Sequence, residues 1–182
     1  KTSDITTNKL QKNRQYSVAV IGAGAMGRDQ CLGLKAIPQA KLVAIADNND
    51  IALERIRQEV DLTSAGLYTD AQELFKKEQL DLVCIATNTS SHLKIAEMAV
   101  DSNIPRIIVE KPIGNNVAKA KHFAIHCKNK NIKISVNHSR RWSETYAAIY
   151  RCIDKGFIGR IKQIQMVFGP SGFAMNGSHF ID

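Results

Sequence analysis

A strand-length apolar run ending in closely spaced glycines constrains this chain more than any other stretch. Residues 18–21 (VAVI) have the character of a buried strand, and GAGAMG follows at 22–27 before a segment of helical period. Gly22 permits a tight turn, and Gly24 allows the backbone to approach a pyrophosphate closely. Gly27 allows the helix to pack on the strand, with the helix N-terminus directed at phosphate charge. The pattern predicts a strand–turn–helix unit that binds a dinucleotide.

An acidic residue at the end of the next apolar run supports the same interpretation. Asp47 closes the run 41–46, at the distance from the glycines where a carboxylate accepts hydrogen bonds from an adenosine ribose. Its charge repels a 2′-phosphate, and Asn48 follows where an NADP enzyme more often has arginine or lysine. The sequence therefore favours NAD over NADP. The contacts predicted here are Gly22, Ala23, Gly24, Ala25, Met26, Gly27, Asp47 and Asn48.

Strand-length apolar runs alternate with segments of helical period along most of the chain. The sequence predicts strands at 16–21, 41–46, 81–86, 106–109 and 132–136, with a weaker one near 67–68. It predicts helices at 25–36, 50–60, 70–77, 90–102 and 115–130. The order predicts an α/β fold with a doubly wound, mostly parallel sheet.

In such a sheet, ligands bind beyond the carboxyl ends of the strands. The residues that follow five predicted strands are all polar or rich in glycine. They are the glycine turn, Asp47–Asn48, Thr87–Thr89, Glu110–Pro112 and Asn137–His138. Because the carboxyl ends of parallel strands share one edge, the sequence predicts a single crevice lined by these five sets.

Composition and charge narrow the class of function. The net charge of +8, from 25 basic and 17 acidic residues, suits an anionic small molecule or nucleic acid. No helix-turn-helix pattern and no basic stretch interleaved with aromatics accompanies it, so we expect no nucleic-acid partner. No apolar run approaches the roughly 18 residues of a membrane span, and the start lacks the apolar segment of a secretion signal. We expect a cytoplasmic protein that does not bind membranes.

The cysteines and histidines do not predict a metal site. The four cysteines are far apart, without metal-ligand spacing, and are expected to be buried thiols in a reducing compartment. His122 and His126 have the spacing of a metal pair on a helix, but no third ligand accompanies them.

The motifs at the strand ends together resemble those of the Gfo/Idh/MocA family, which is named for glucose–fructose oxidoreductase, inositol dehydrogenase and a rhizopine-catabolism protein. Glu110-Lys111-Pro112 is the most specific motif, and it accompanies the glycine turn. The other matching motifs are TNTSSH at 87–92, Asn137 with RRW at 140–142, and GSHFID at 177–182. The resemblance covers residues 16–182. It implies an NAD- or NADP-dependent enzyme that acts on a sugar, cyclitol or nucleotide-linked sugar.

The resemblance also implies roles for individual residues. Lys111 matches a catalytic lysine, and its bond to Pro112 is expected to be cis. His179 matches a histidine that faces the nicotinamide as proton donor or acceptor. Further cofactor contacts are expected from Thr87, Asn88, His92, Glu110 and Lys111, and substrate contacts from Asn137, Arg140 and Arg141. On position alone His92 could equally pack or cap locally, and the arginine pair could form a salt bridge at the domain junction.

One departure from the family pattern leaves a second interpretation open. Many members have an aspartate four residues before the histidine, where this chain has Met175 followed by Asn176. Neither side chain acts as a general base, so the alternative is a catalytically silent NAD-binding sensor or scaffold. A methyltransferase is disfavoured because that fold gives Glu110-Lys111-Pro112 no role.

The length predicts one complete domain and part of another. We interpret 1–14 as a polar tail, 15–136 as the nucleotide-binding Rossmann domain, and 137–182 as the incomplete start of a substrate domain. That second part has a predicted helix at 142–155 and a strand at 160–168. Family members continue with an open, largely antiparallel sheet, so we expect a truncated chain whose parent is a homo-oligomer.

Overall fold

The computed structural model describes residues 14–165, and the structural statements below concern those residues. The chain divides into two units, the first ending at His138 and the second beginning at Ser139. Each unit is described separately.

The first unit is a parallel sheet with helices on both faces. Its strands are β1 (Tyr16–Ile21), β2 (Ala40–Ala46), β3 (Gly66–Tyr68), β4 (Leu82–Ile85), β5 (Arg106–Glu110) and β6 (Lys133–Asn137). Its helices are α1 (Ala25–Lys35), α2 (Asp50–Val60), α3 (Ala71–Lys77), α4 (Thr89–Asp101) and α5 (Val117–Asn129). The strands pair in the order β3-β2-β1-β4-β5-β6, each neighbour parallel. The predicted doubly wound α/β fold is confirmed.

The core forms on both faces because neighbouring residues of a strand point to opposite sides of a sheet. Along β1, Val18 and Val20 pack with residues of α1 and α2. Ala19 and Ile21, one position on in each case, pack with residues of α3, α4 and α5. All four side chains are at most 2% exposed, which explains why the central strands are apolar throughout.

The strand order places the crevice between β1 and β4, where the chain changes direction across the sheet. Glu110 and Asn137 were expected just beyond their strands. They are instead the last residues of β5 and β6, and they pair with each other across the ladder. The predicted convergence of the strand ends is therefore correct, with these two side chains one position earlier than expected.

The second unit is described as far as residue 165. It begins with a 3-10 helix (Ser139–Trp142) and continues with α6 (Glu144–Asp154), inside the predicted helix. The predicted strand at 160–168 is wrong over 160–165, which have no regular structure. A strand requires a hydrogen-bonded neighbour, and no described residue pairs with this segment. Residues 166–168 lie outside the described range.

The cysteines differ in accessibility. Cys31, Cys84 and Cys127 are buried, whereas Cys152 on α6 is exposed. The prediction of buried thiols is therefore wrong for Cys152. Burial raises the pKa of both Cys31 and Cys84 from 9.0 to about 12, and it also raises the pKa of Cys127. Since the thiolate is the reactive form, these three cysteines are protected both by burial and by a pKa that keeps the thiol protonated.

We expect an alkylating reagent near neutral pH to modify Cys152 and to leave the other three cysteines intact until the chain unfolds. Peptide mass spectrometry over a time course measures each site. Cys152→Ser serves as the control and should abolish rapid labelling. Rapid modification of Cys31 or Cys84 in the folded chain would contradict the burial described here.

Candidate nucleotide-binding site

Two glycines of the turn are required by the fold itself. Gly22 has φ of 109°, and a Cβ there would lie 2.5 Å from the carbonyl oxygen of Ala86. A Cβ at Gly27 would lie 1.9 Å from the carbonyl oxygen of Gly22. Both distances are far below a van der Waals contact, so any side chain at these positions would force the backbones apart.

Gly24 is different, because no residue between 14 and 165 requires a glycine there. Its φ of −76° suits any residue, and a Cβ would meet no atom within 4 Å. The position opens onto free space at the start of α1. This space agrees with the predicted role of Gly24, which is to let a ligand approach the backbone.

Among the described helices of the first unit, two lack a side-chain cap at the N-terminus and three have one. In the first unit, the side chains of Asn49, Asp70 and Asn116 accept hydrogen bonds from the first turns of α2, α3 and α5. The N-cap residues of α1 and α4, Gly24 and Asn88, make no such side-chain bond. These two helix starts line the same cleft. Unsatisfied N–H groups at a helix start attract anions, so the cleft suits a phosphate group.

Asp47 holds the glycine turn and the start of α2 together. Its Oδ2 accepts a hydrogen bond from the Ala23 N–H at 2.7 Å, and its Oδ1 accepts one from the Asn49 N–H at 2.9 Å. A carboxylate oxygen has more than one acceptor site, so both oxygens retain capacity for ribose hydroxyls. The side chain predicted to bind the sugar also fixes the turn predicted to bind the diphosphate.

A cleft of about 650 Å³ lies over this edge of the sheet. Seven of the predicted cofactor residues line it: Gly24, Ala25, Met26, Asp47, Asn48, Thr87 and Asn88. Gly22, Ala23 and Gly27 are buried beneath it. The volume falls within the range of small-molecule and cofactor sites.

The cleft also contains residues that the sequence analysis did not identify. They come from the segment after β3 and from one face of α4: Thr69, Asp70, Ala71, Ser91, Lys94, Ile95 and Met98. The rule that gathered the other strand ends would have found Thr69 and Asp70 had it been extended to the weak strand β3. The α4 residues follow from helical spacing, since Ser91, Ile95 and Met98 lie three or four positions apart.

His92 does not face the cleft as predicted. Its side chain is 1% exposed, with Nδ1 2.8 Å from the Pro112 carbonyl oxygen and Nε2 2.9 Å from the Thr87 carbonyl oxygen. Both ring nitrogens are therefore occupied by backbone, and none is left for a cofactor. The local alternative is the one that the geometry supports.

Glu110 and Asn137 contact each other. Glu110 is 5% exposed, and its Oε1 accepts hydrogen bonds from the amides of Asn137 and of Gln30 on α1. Gln30 Oε1 is a buried acceptor without a hydrogen-bond donor. Gln30 was missed, although its position three residues after Gly27 places it on the face of α1 that packs against the sheet. A polar side chain on that face is the signal that could have revealed it.

The remaining candidates are less constrained by the structure. Lys111 is exposed and directly follows β5, and its bond to Pro112 is cis, as the resemblance implied. Arg140 and Arg141 are exposed on the 3-10 helix of the second unit, and their predicted substrate contacts stay predictions. His179 lies outside the described residues, as do Met175 and Asn176.

Two further observations concern metal binding and membrane-spanning helices. Between residues 14 and 165, no three His, Cys, Asp or Glu side chains come together as a metal site. His126 instead contacts Glu97, with 2.9 Å between Nδ1 and Oε2. In the same range, no helix is long and apolar enough to cross a membrane.

The fold and cleft define this unit as a nucleotide-binding Rossmann domain. Residues 16–138 match the profile of the GFO_IDH_MocA family, described as an oxidoreductase family with an NAD-binding Rossmann fold. The chain belongs to this family. The predicted resemblance and the predicted cofactor class, NAD, are therefore confirmed.

Individual relatives agree with this membership. The chain is 29% identical to D-apiose dehydrogenase of Paraburkholderia graminis over 80% of its length and 38% of the relative. It is 28% identical to myo-inositol 2-dehydrogenase of Thermotoga maritima over 79% of its length and 42% of the relative. The chain thus spans less than half of each of these proteins.

Solved structures show the same fold. An oxidoreductase from Agrobacterium radiobacter in complex with NAD+, L-tartaric acid and magnesium is 29% identical, with a TM-score of 0.75 over 80% of this chain and 42% of that one. The scyllo-inositol dehydrogenase of Lactobacillus casei, with NAD(H) and scyllo-inositol bound, is 23% identical, with a TM-score of 0.74 over 81% and 43%. The second likeness concerns the fold alone.

We expect Asp47→Asn to lower the free energy of unfolding by about 1–2 kcal/mol, because an amide presents N–H to one of the two backbone donors that the carboxylate now satisfies. Denaturant unfolding followed by circular dichroism measures the change. Asp61→Asn is the matched control, since Asp61 is exposed at the end of α2 with φ of 51°, a conformation that asparagine tolerates. Equal stability of both variants would show that Asp47 does not hold the turn.

Proposed function

We propose that this protein is an NAD-dependent oxidoreductase that acts on a hydroxyl-bearing carbon of a sugar or cyclitol. The observation that carries the proposal is the space at Gly24. The fold requires the glycines at 22 and 27, whereas no described residue requires one at 24, and close approach of a ligand accounts for it. Two uncapped helix starts and the Asp47 carboxylate border that space. Family membership supplies the identity of the ligand.

The residues present fit a nicotinamide dinucleotide. The N–H groups at the start of α1 suit the diphosphate, and the remaining acceptor sites of Asp47 suit the hydroxyls of the adenosine ribose. Bound there, the dinucleotide would accept a hydride from the substrate carbon as the carbon–oxygen bond becomes a carbonyl. The proton of the hydroxyl leaves separately and requires a protein group.

Lys111 is our candidate for the group that manages this proton. It directly follows β5 at the carboxyl edge of the sheet, where ligands of doubly wound folds bind. The neighbouring Glu110 is buried and held by two amides, which fixes the backbone from which Lys111 extends. By resemblance, His179 assists in the proton transfer, and Asn137, Arg140 and Arg141 contact the substrate.

The substrate class is inferred from the relatives. D-apiose dehydrogenase and myo-inositol 2-dehydrogenase are named for polyhydroxylated substrates, one a sugar and one a cyclitol. A nucleotide-linked sugar is the further possibility that the resemblance leaves open. The basic net charge of the chain is compatible with it.

We expect Gly24→Ala to weaken NAD binding without unfolding the protein. The added methyl group meets no atom of the described residues, and because alanine is a poorer N-cap than glycine, the melting temperature should fall by a few degrees at most. The methyl group would occupy the space that we propose for the diphosphate, and the Kd for NAD should rise at least tenfold. Isothermal titration calorimetry with NAD and with NADP measures both the loss and the cofactor preference.

Gly27→Ala is the matched comparison for this variant. Its methyl group would lie 1.9 Å from a backbone oxygen, so this substitution should lower the melting temperature of the protein. Undiminished NAD binding by the Gly24→Ala variant would overturn the assignment of the site.

We expect Lys111→Ala in the full-length protein to lower kcat about 100-fold or more, with a much smaller effect on the Kd for NAD. Formation of reduced nicotinamide is followed by absorbance with D-apiose, myo-inositol and scyllo-inositol as substrates. Lys121→Ala is the control, because Lys121 is exposed on α5. Turnover unchanged by Lys111→Ala would exclude the proposed mechanism. NAD binding without turnover of any polyol would favour the silent sensor.

A further inference from the structure

His92 is a buried polar side chain that the proposed chemistry does not use. It lies in the first turns of α4 and is 1% exposed. Its two ring nitrogens lie 2.8 and 2.9 Å from the carbonyl oxygens of Pro112 and Thr87. A carbonyl oxygen only accepts hydrogen bonds, so a ring nitrogen must carry a proton to bond it. Holding both carbonyls therefore requires both ring nitrogens to donate.

The two carbonyls belong to two separate segments that the proposed function uses. Thr87 follows β4 and lines the nucleotide cleft, where its Oγ1 also accepts a hydrogen bond from Ser91 Oγ. Pro112 directly follows Lys111, the candidate proton-handling group, beyond the end of β5. The imidazole therefore joins the segment at Thr87, which lines the cleft, to the segment at Lys111 and Pro112.

The Thr87 segment in turn packs against the glycine turn. A Cβ on Gly22 would lie 2.5 Å from the Ala86 carbonyl oxygen and 3.0 Å from the Thr87 nitrogen. A shift of this segment would therefore press on the turn or open a gap beside it. Through these contacts, the position of the Pro112 carbonyl is linked to the glycine turn, where we propose that the diphosphate binds.

We propose that His92 is a positioning residue that fixes the lysine segment relative to the nucleotide cleft. Its Nδ1 side sets the backbone that carries Lys111, and its Nε2 side sets the Thr87 segment. This inference rests on the proposed function for its kinetic consequences, but the bridge itself is a property of the fold. A residue that merely fills space would hold neither segment in particular.

Substituting His92 by asparagine or by glutamine tests its two hydrogen bonds separately. The amide nitrogen of asparagine is as many bonds from Cα as Nδ1, and the amide nitrogen of glutamine is as many bonds away as Nε2. His92→Asn therefore retains a donor for the Pro112 carbonyl, and His92→Gln retains one for the Thr87 carbonyl. His92→Leu retains neither. His126→Gln is the control, since His126 contacts Glu97 on the outer side of α4 and α5.

Hydrogen–deuterium exchange of the chain without ligand tests the bridge directly. His92→Asn should speed exchange in residues 87–91 and spare 111–115, whereas His92→Gln should show the opposite pattern. In the full-length protein, His92→Asn should raise the Kd for NAD about fivefold with kcat retained. His92→Gln should lower kcat about fivefold with the Kd retained, and His92→Leu should do both.

Equal exchange in both segments for the Asn and Gln variants would overturn the bridge, as would a response in only one of the two variants. A wild-type protein that fails to bind NAD or to turn over a polyol would refute the proposed function. The exchange pattern would still decide whether His92 couples the two segments, so the two failures are distinguishable.

Discussion

The close approach of α1 to the carbonyl of Gly22 is the constraint on which the rest of the site depends. A helix this near a strand end leaves no room for a Cβ at Gly27, and it aims unsatisfied N–H groups of α1 over the edge of the sheet. Asp47 then fixes the turn from the side through the Ala23 N–H. The shape of this part of the cleft therefore follows from the helix–turn contact and from the Asp47 carboxylate. Because protein contacts hold this arrangement, we expect little reorganisation on binding.

Near the end of β5, buried polar side chains also hold the backbone in one arrangement. Glu110 accepts from Gln30 and Asn137, and His92 contacts two backbone carbonyls. Burying such groups is costly unless their hydrogen bonds are satisfied, so each fixes its neighbours in one arrangement. Both act on the strand end that carries Lys111. An exposed lysine on a firmly held backbone combines a mobile ammonium with a defined point of attachment.

Sequence reasoning predicted most of the first unit because its signals are local. Apolar runs, helical periods and a glycine turn gave six strands and five helices close to their observed bounds, and parallel topology then gathered the strand ends at one edge. The roles of Gln30 and His92 were missed or misassigned because they depend on contacts between residues far apart in the chain. A spacing rule shows that His92 lies near the start of a helix, but not which way its ring is buried. The strand at 160–168 was overpredicted over 160–165, because an apolar run specifies a strand only when a neighbouring strand is present to pair with it.

The strand order of the sheet also sets a sequence of events during synthesis. β5 pairs with β4 on one side and with β6 on the other, and β6 is the last strand of the first unit to leave the ribosome. Until then, β5 forms an open sheet edge, the kind of surface on which unfinished chains pair incorrectly. During that interval Glu110 has Gln30 as a partner but not yet Asn137. A translational pause before residue 137 would therefore leave the buried Glu110 carboxylate short of one hydrogen-bond donor while the sheet edge at β5 is open to incorrect pairing.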